Sequence, residues 1–168
     1  ASLTVFDADL LRQLWRLGWP SSTQLVLRVL SMLFIQALVA RAFTTADDQT
    51  ATIAIGVIFR LETMALFMAL GWGSAAQTFV GQNLGAGQRR RAQASGWLAS
   101  AYVLAMAVVL SALYTHFGFA IVRFFDPDPK VVTVALAYLE LVAPSYLGLC
   151  VGVVLGSAMQ GAGATRLT

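Results

Sequence analysis

A chain of 168 residues that is 58% hydrophobic and only 11% charged lies outside the composition of an ordinary soluble domain, which is about 45 to 50% apolar. The net charge of +3 does not indicate a nucleic-acid partner, because the basic residues sit at the ends of apolar segments and no aromatic-interleaved basic face accompanies them. The single cysteine, Cys150, gives neither a disulfide nor a metal cluster, and its apolar surroundings make it a packing residue.

With a mean hydropathy of +0.75, the chain reads as an all-α, polytopic membrane protein. A span needs about 20 mostly apolar residues to cross a core of about 30 Å. Residues 5–19 come first: Asp7 and Asp9 suit a helix start, and Leu10, Leu11, Leu14, Trp15 and Leu17 alternate with Arg12, Gln13 and Arg16. This predicts a short amphipathic helix on the membrane surface. Gly18-Trp19-Pro20 is then expected to turn the chain into a first span over 20–42, with Pro20 in the first helical turn.

A second span is predicted over 51–80, with a bend at Gly71-Trp72-Gly73. A third covers 97–123, and a fourth covers 131–160 with a bend at Pro144. Bends of this kind often line cavities in transporters, where freed carbonyls find partners; the alternative is a static kink. In the fourth segment Gly148, Gly152 and Gly156 recur every four residues, a row that lets another helix backbone come close.

Between the second and third spans lies Gln77-Thr-Phe-Val-Gly-Gln-Asn-Leu-Gly-Ala-Gly-Gln-Arg-Arg-Arg-Ala92. Gly81, Gln82, Asn83, Gly85 and Gly87 are expected to form a polar turn, and Arg89, Arg90 and Arg91 place that turn in the cytoplasm. Arg12, Arg16 and Arg166 fall on the same side, whereas Arg41, Arg123 and Lys130 fall on the other. Both ends are therefore expected inside, with Trp15, Trp19 and Trp97 as the inner aromatic belt. Thr44 to Gln49 and Asp126-Pro-Asp-Pro129 are the expected outer loops.

Arg28, Arg60, Glu62 and Glu140 fall within the spans. A charge at mid-membrane costs at least about 2.5 kcal/mol, so such groups face protein or water and mark pathways. Glu62 lies 11 residues into its span and Glu140 lies 9 into its own, which puts the two carboxylates at one depth, with Arg60 in the same layer. Glu62 is the candidate for a coupling proton or cation, with Glu140 second. Arg28 and Arg60 are the charge partners, Arg28 being the expected partner of Glu62. The competing reading is a fixed ion pair that ties helices together. Gln24, Gln36 and Gln77 are polar at helical depth, and His116 reads as an interfacial residue.

The chain carries no Gly-x-x-x-x-Gly-Lys-Ser/Thr phosphate loop, no His-Glu-x-x-His, no Gly-x-Ser-x-Gly, and no His or Cys pair at metal spacing. These absences count against an ATP-binding loop in this chain, so that energy for any transport would come from an ion gradient or a separate subunit, and against an intramembrane hydrolase. The expectation is a non-enzymatic protein with no metal site.

Arg60-Leu-Glu-Thr-Met-Ala-Leu-Phe-Met68, the Val-Gly-Gln-Asn-Leu-Gly-Ala-Gly core of the turn, Ala143-Pro-Ser-Tyr146, Met159-Gln-Gly-Ala-Gly-Ala-Thr-Arg166 and Leu17-Gly-Trp-Pro20 together resemble the multidrug and toxic compound extrusion (MATE) transporters. The resemblance runs over nearly the whole chain. It implies a twelve-helix fold of two six-helix lobes around a central cavity, of which this chain would be helices seven to ten, a partial C-terminal lobe. It also implies efflux of lipophilic, often cationic compounds in exchange for protons or sodium ions, across a bacterial inner membrane.

The implied partners are small lipophilic cations, the lipid bilayer and the remaining helices of the transporter, with no cofactor beyond the coupling ion. The chain departs from sodium-coupled members: Arg28 stands where they often carry a glutamate, and an apolar stretch near Leu149 where they carry an aspartate. Glu62 is thus the carboxylate carried over from the motif, while Gln36, Met64 and Met68 are candidates for a substrate path. A lipid-linked-substrate flippase of the same superfamily and a non-transporting membrane scaffold stand as alternatives.

Overall fold

The computed structural model describes residues 8–45 and 48–163, and all of its regular structure is helical. Five helices follow one another: α1 (Ala8–Phe43), α2 (Thr50–Gly85), α3 (Arg89–Phe125), α4 (Pro129–Val142) and α5 (Ser145–Gly161). Three helices are long and apolar enough to cross a membrane, and α4 with α5 makes a fourth if the bent pair is one span. The expectation of an all-α polytopic membrane protein therefore holds.

α2 sits at the centre, touching each of the other four helices. Its buried face is Ala54, Val57, Ile58, Leu61, Ala65, Ala69, Gly73, Ala76 and Val80, a run of three- and four-residue steps that keeps one side of the helix facing protein. Between helices in lipid there is little hydrophobic gain, so association rests on close packing, which small residues permit. Accordingly the middle of that face, Ala65, Ala69 and Gly73, is a small-residue row at spacing four.

The interior divides into two layers. Ile58, Leu61, Tyr114, Val122, Val131, Leu139 and Tyr146 fill the layer around α4. Ala69, Ala76, Ala99, Val103, Ala107, Cys150 and Val154 fill the layer around α5. α4 and α5 thus occupy successive stretches of the α2–α3 surface and make little contact with each other. Cys150 is wholly buried, as its apolar setting indicates.

Several sequence expectations are corrected. α1 runs unbroken through Gly18-Trp19-Pro20, so no separate surface helix ends there. Proline removes one ladder bond, and the flanking turns carry the helix across it. Residues 5–7 and the side chains of Leu10, Leu11, Leu14 and Leu17 lie outside what the structure describes. α2 likewise shows no break at Gly71-Trp72-Gly73. The bend expected at Pro144 is present and sharper than a kink: α4 stops at Val142, and α5 leaves at 56° to it.

The expected polar loop over 81–87 is also mostly helix. α2 continues to Gly85, the turn is Ala86 to Gln88 with Gly87 at φ 73°, and Arg89 already begins α3. A helix of 36 residues is about 54 Å long, more than a bilayer core, so its end stands in water, where glycines cost little. The φ of Gly87 is the left-handed conformation that lets the chain reverse in three residues.

Candidate functional site

α1 and α5 both flank α2, yet they do not pack on each other. The gap between them is a cleft of about 680 Å³, lined from α1 by Gln24 and Arg28, from α2 by Leu70, Ser74 and Gln77, and from α5 by the side running from Gly148 to Gln160. Its volume is within the size range of small-molecule sites. The glycine row on α5 explains why it is open. Gly148, Gly152 and Gly156 stand two residues, or about 200°, round the helix from Tyr146, Cys150 and Val154, which pack inward. A Cβ on any of the three glycines would meet nothing within 4 Å. The expected close helix approach is therefore absent from that row.

Close approach occurs elsewhere on α5. A Cβ on Gly73 would come within 2.6 Å of the Ser157 Oγ, and one on Gly161 would overlap the Gln77 carbonyl. A Cβ on Gly81 would in turn lie 3.2 Å from the Gly161 carbonyl. The sequence signal that would have found this contact is the Ala65, Ala69, Gly73 row of α2.

Glu62 is half-buried on α2 outside the cleft lining. Arg28 acts on its carboxylate through space, and among the described residues neither group closes an ion pair. The structure thus brings the expected partners into one electrostatic neighbourhood without a fixed bridge. The hydroxyls of Tyr138 and Tyr146 also feel the Glu62 charge. Beside them, the Tyr114 hydroxyl donates to the Leu61 carbonyl at 2.9 Å, and its ring meets Tyr146 edge-on at 6.0 Å. Tyr146 is 1% exposed, and among the described residues its hydroxyl has no hydrogen-bond partner. This tyrosine cluster beside Glu62 was not legible in the sequence, because its members lie on three helices.

Arg60 is exposed and sits over the Phe125 ring at 5.8 Å, and Glu140 is exposed on α4. They do not join Glu62 in one ion-pair layer among the described residues. Gln36 is exposed on α1, away from the cleft lining. Met64 is 54% exposed. Met68 lines two shallow apolar hollows of about 410 and 360 Å³ with Met106, and Trp72 borders the larger. Trp72 stacks on Tyr102 and donates to the Met106 sulfur at 3.0 Å. The substrate-path candidates therefore do not share one cavity. His116 is exposed and contacts the Thr115 hydroxyl at 3.2 Å.

At the turn, the Asn83 amide donates to the Phe79 carbonyl and to Ser95 across the helix pair, and Arg91 donates to the Gln88 side chain at 3.0 Å. Gln82, Asn83 and Arg91 border a groove of about 390 Å³. Arginines at 89 to 91 occupy the first turn of α3, where the helix dipole disfavours positive charge. Among the described residues no group of three or more His, Cys, Asp or Glu side chains could hold a metal ion.

Comparison with known proteins places the chain in a family. The MatE family model matches residues 20–168. A protein of Shewanella oneidensis described as an FAD transporter is 26% identical over 159 residues, covering 92% of this chain and 34% of its own length. The chain thus spans about a third of that relative. No solved structure matches. With the family match extending over nearly all of the described helices, the chain belongs to the MatE family of membrane transport proteins.

Proposed function

We propose that the chain forms part of a secondary active exporter that moves lipophilic compounds by alternating access, in exchange for protons or sodium ions. The observation that carries this reading is the family match over residues 20–168. Glu62 is its coupling carboxylate: it is intramembrane, half-buried and under the Arg28 charge without being locked to it. A carboxylate in a fixed bridge could not release its ion, whereas an open one can bind and release.

In this reading the arginines at 89 to 91 hold both ends of the described region in the cytoplasm of an inner-membrane protein. Among the described residues α1 has none that is buried along Ser22–Phe43, and its face takes up further helices of the transporter. Efflux of ethidium, a lipophilic cation, from proteoliposomes under separately imposed proton and sodium gradients tests this. Gradient-driven efflux that disappears in Glu62→Gln supports it, and efflux unchanged in that variant removes Glu62 from the coupling step.

A second reading of the cargo has its own support. The Shewanella oneidensis relative is described as an FAD transporter, so a flavin dinucleotide is a candidate cargo here as well. Radiolabelled FAD uptake into the same proteoliposomes, turned inside out, separates the two.

A further inference from the structure

We propose that the cleft between α1, α2 and α5 is a binding site for an anionic group of the transported molecule, a carboxylate or a phosphate, with Arg28 as its counter-charge. The inference rests on the chain being part of a transporter and not on which ion drives it.

Among the described residues, Arg28 is the one charged side chain on the lining of the 680 Å³ cleft. The other polar groups there, among them Ser74, Gln77, Ser157 and Gln160, are neutral. A cationic cargo would thus meet repulsion and no formal negative charge, while an anion would meet a guanidinium with its donors open. The Ser157 hydroxyl is spent on the Val153 carbonyl at 2.9 Å, which leaves the amides of Gln77 and Gln160 as the neutral donors at the cytoplasmic end.

Membrane energetics point the same way. A guanidinium held at membrane depth needs a counter-charge, and among the described residues Arg28 has no ion-pair partner. Glu62 acts on it only through space and lies off the lining, so the cleft side of the guanidinium is open to a planar, two-oxygen anion, which its fork geometry suits. The bare α5 glycines give that anion and its carrier room to approach the backbone.

The test uses the purified full-length protein in neutral detergent and fluorescence anisotropy of 5(6)-carboxyfluorescein, an anionic dye, against ethidium. Carboxyfluorescein should bind the more tightly. Arg28→Gln should weaken it about 10-fold or more, the loss of a charge-assisted pair, with Arg28→Lys, which keeps the charge and loses the fork, falling between the two. Glu62→Gln should strengthen it by removing the competing carboxylate.

Gly152→Leu puts bulk into the cleft from a position where a Cβ meets nothing within 4 Å and should abolish binding, which keeps the test open if Arg28→Gln fails to fold. Preference for ethidium, or equal dye binding by wild type and Gly152→Leu, overturns the assignment. So does a site that takes only phosphatidylglycerol and excludes the soluble dye. Arg28-dependent dye binding without any gradient-driven flux would leave the anion site standing and remove the transport reading instead.

Discussion

Gly161 packs so closely on Gln77 that there is no room for a Cβ between them: one placed on the glycine would overlap the Gln77 carbonyl and lie 2.9 Å from its Cα. This contact closes one end of the α2–α5 interface, while the other side of α5 stays open as the cleft. The same helix therefore both seals and opens, depending on which of its faces carries the glycine.

Gly161→Ala should separate α5 from α2 at that end. Neither backbone can give way as a flexible side chain would, so we expect a loss of about 1–3 kcal/mol, the range for overpacking a filled interface. Gly152→Ala, facing the open cleft, should leave stability within about 0.5 kcal/mol. Thermal melts of the two variants in one detergent check the contrast, and equal melting temperatures would contradict it.

Tyr146 and Tyr114 differ in a way that mutation should expose. The Tyr146 hydroxyl is buried without a partner, so Tyr146→Phe should stabilise the protein by about 1 kcal/mol or more by removing an unsatisfied donor. Tyr114→Phe deletes the bond to the Leu61 carbonyl and should cost about 0.5–1.5 kcal/mol. Opposite shifts in melting temperature are the expected outcome.

Arg60 over Phe125 links α2 to the end of α3. Phe125→Leu keeps an apolar side chain and removes the ring face, so a loss of about 0.5–1 kcal/mol is expected. If Arg60→Gln and Phe125→Leu act on the same contact, the double variant should lose less than the sum of the single variants.

The loop before α2 carries a pH-sensitive contact. Hydrogen bonds from the Thr50 side chain and amide hold the exposed Asp48 carboxyl below its ordinary value, the amide bond measuring 3.0 Å. A carboxyl depressed in the folded state stabilises that state above its unfolded value near 3.9, and the contribution disappears as pH falls through the lower folded value. Titration followed by carboxyl carbon NMR should place Asp48 below the ordinary range and show it rising in Thr50→Val.

The sequence by itself determined the class of this protein and its family, because those follow from quantities that add along the chain. Apolar length decides what can sit in lipid, Pro144 removes a ladder bond wherever it falls, and the Arg-Leu-Glu and Gly-Ala-Gly runs are local. Intramembrane charge likewise drew attention to Glu62 and Arg28 before any fold was known.

Only the tertiary structure decided which way each face looks. A glycine row reads the same whether it meets a helix or a void, and the choice depended on Tyr146, Cys150 and Val154 taking the inward side of α5. The cleft gathers residues from three helices, and the tyrosine hydroxyls around Glu62 come from α3, α4 and α5, so neither has a spacing that a chain-order reading could detect. Distance along the chain sets depth in the membrane, whereas the rotation of each helix about its axis is set by its neighbours.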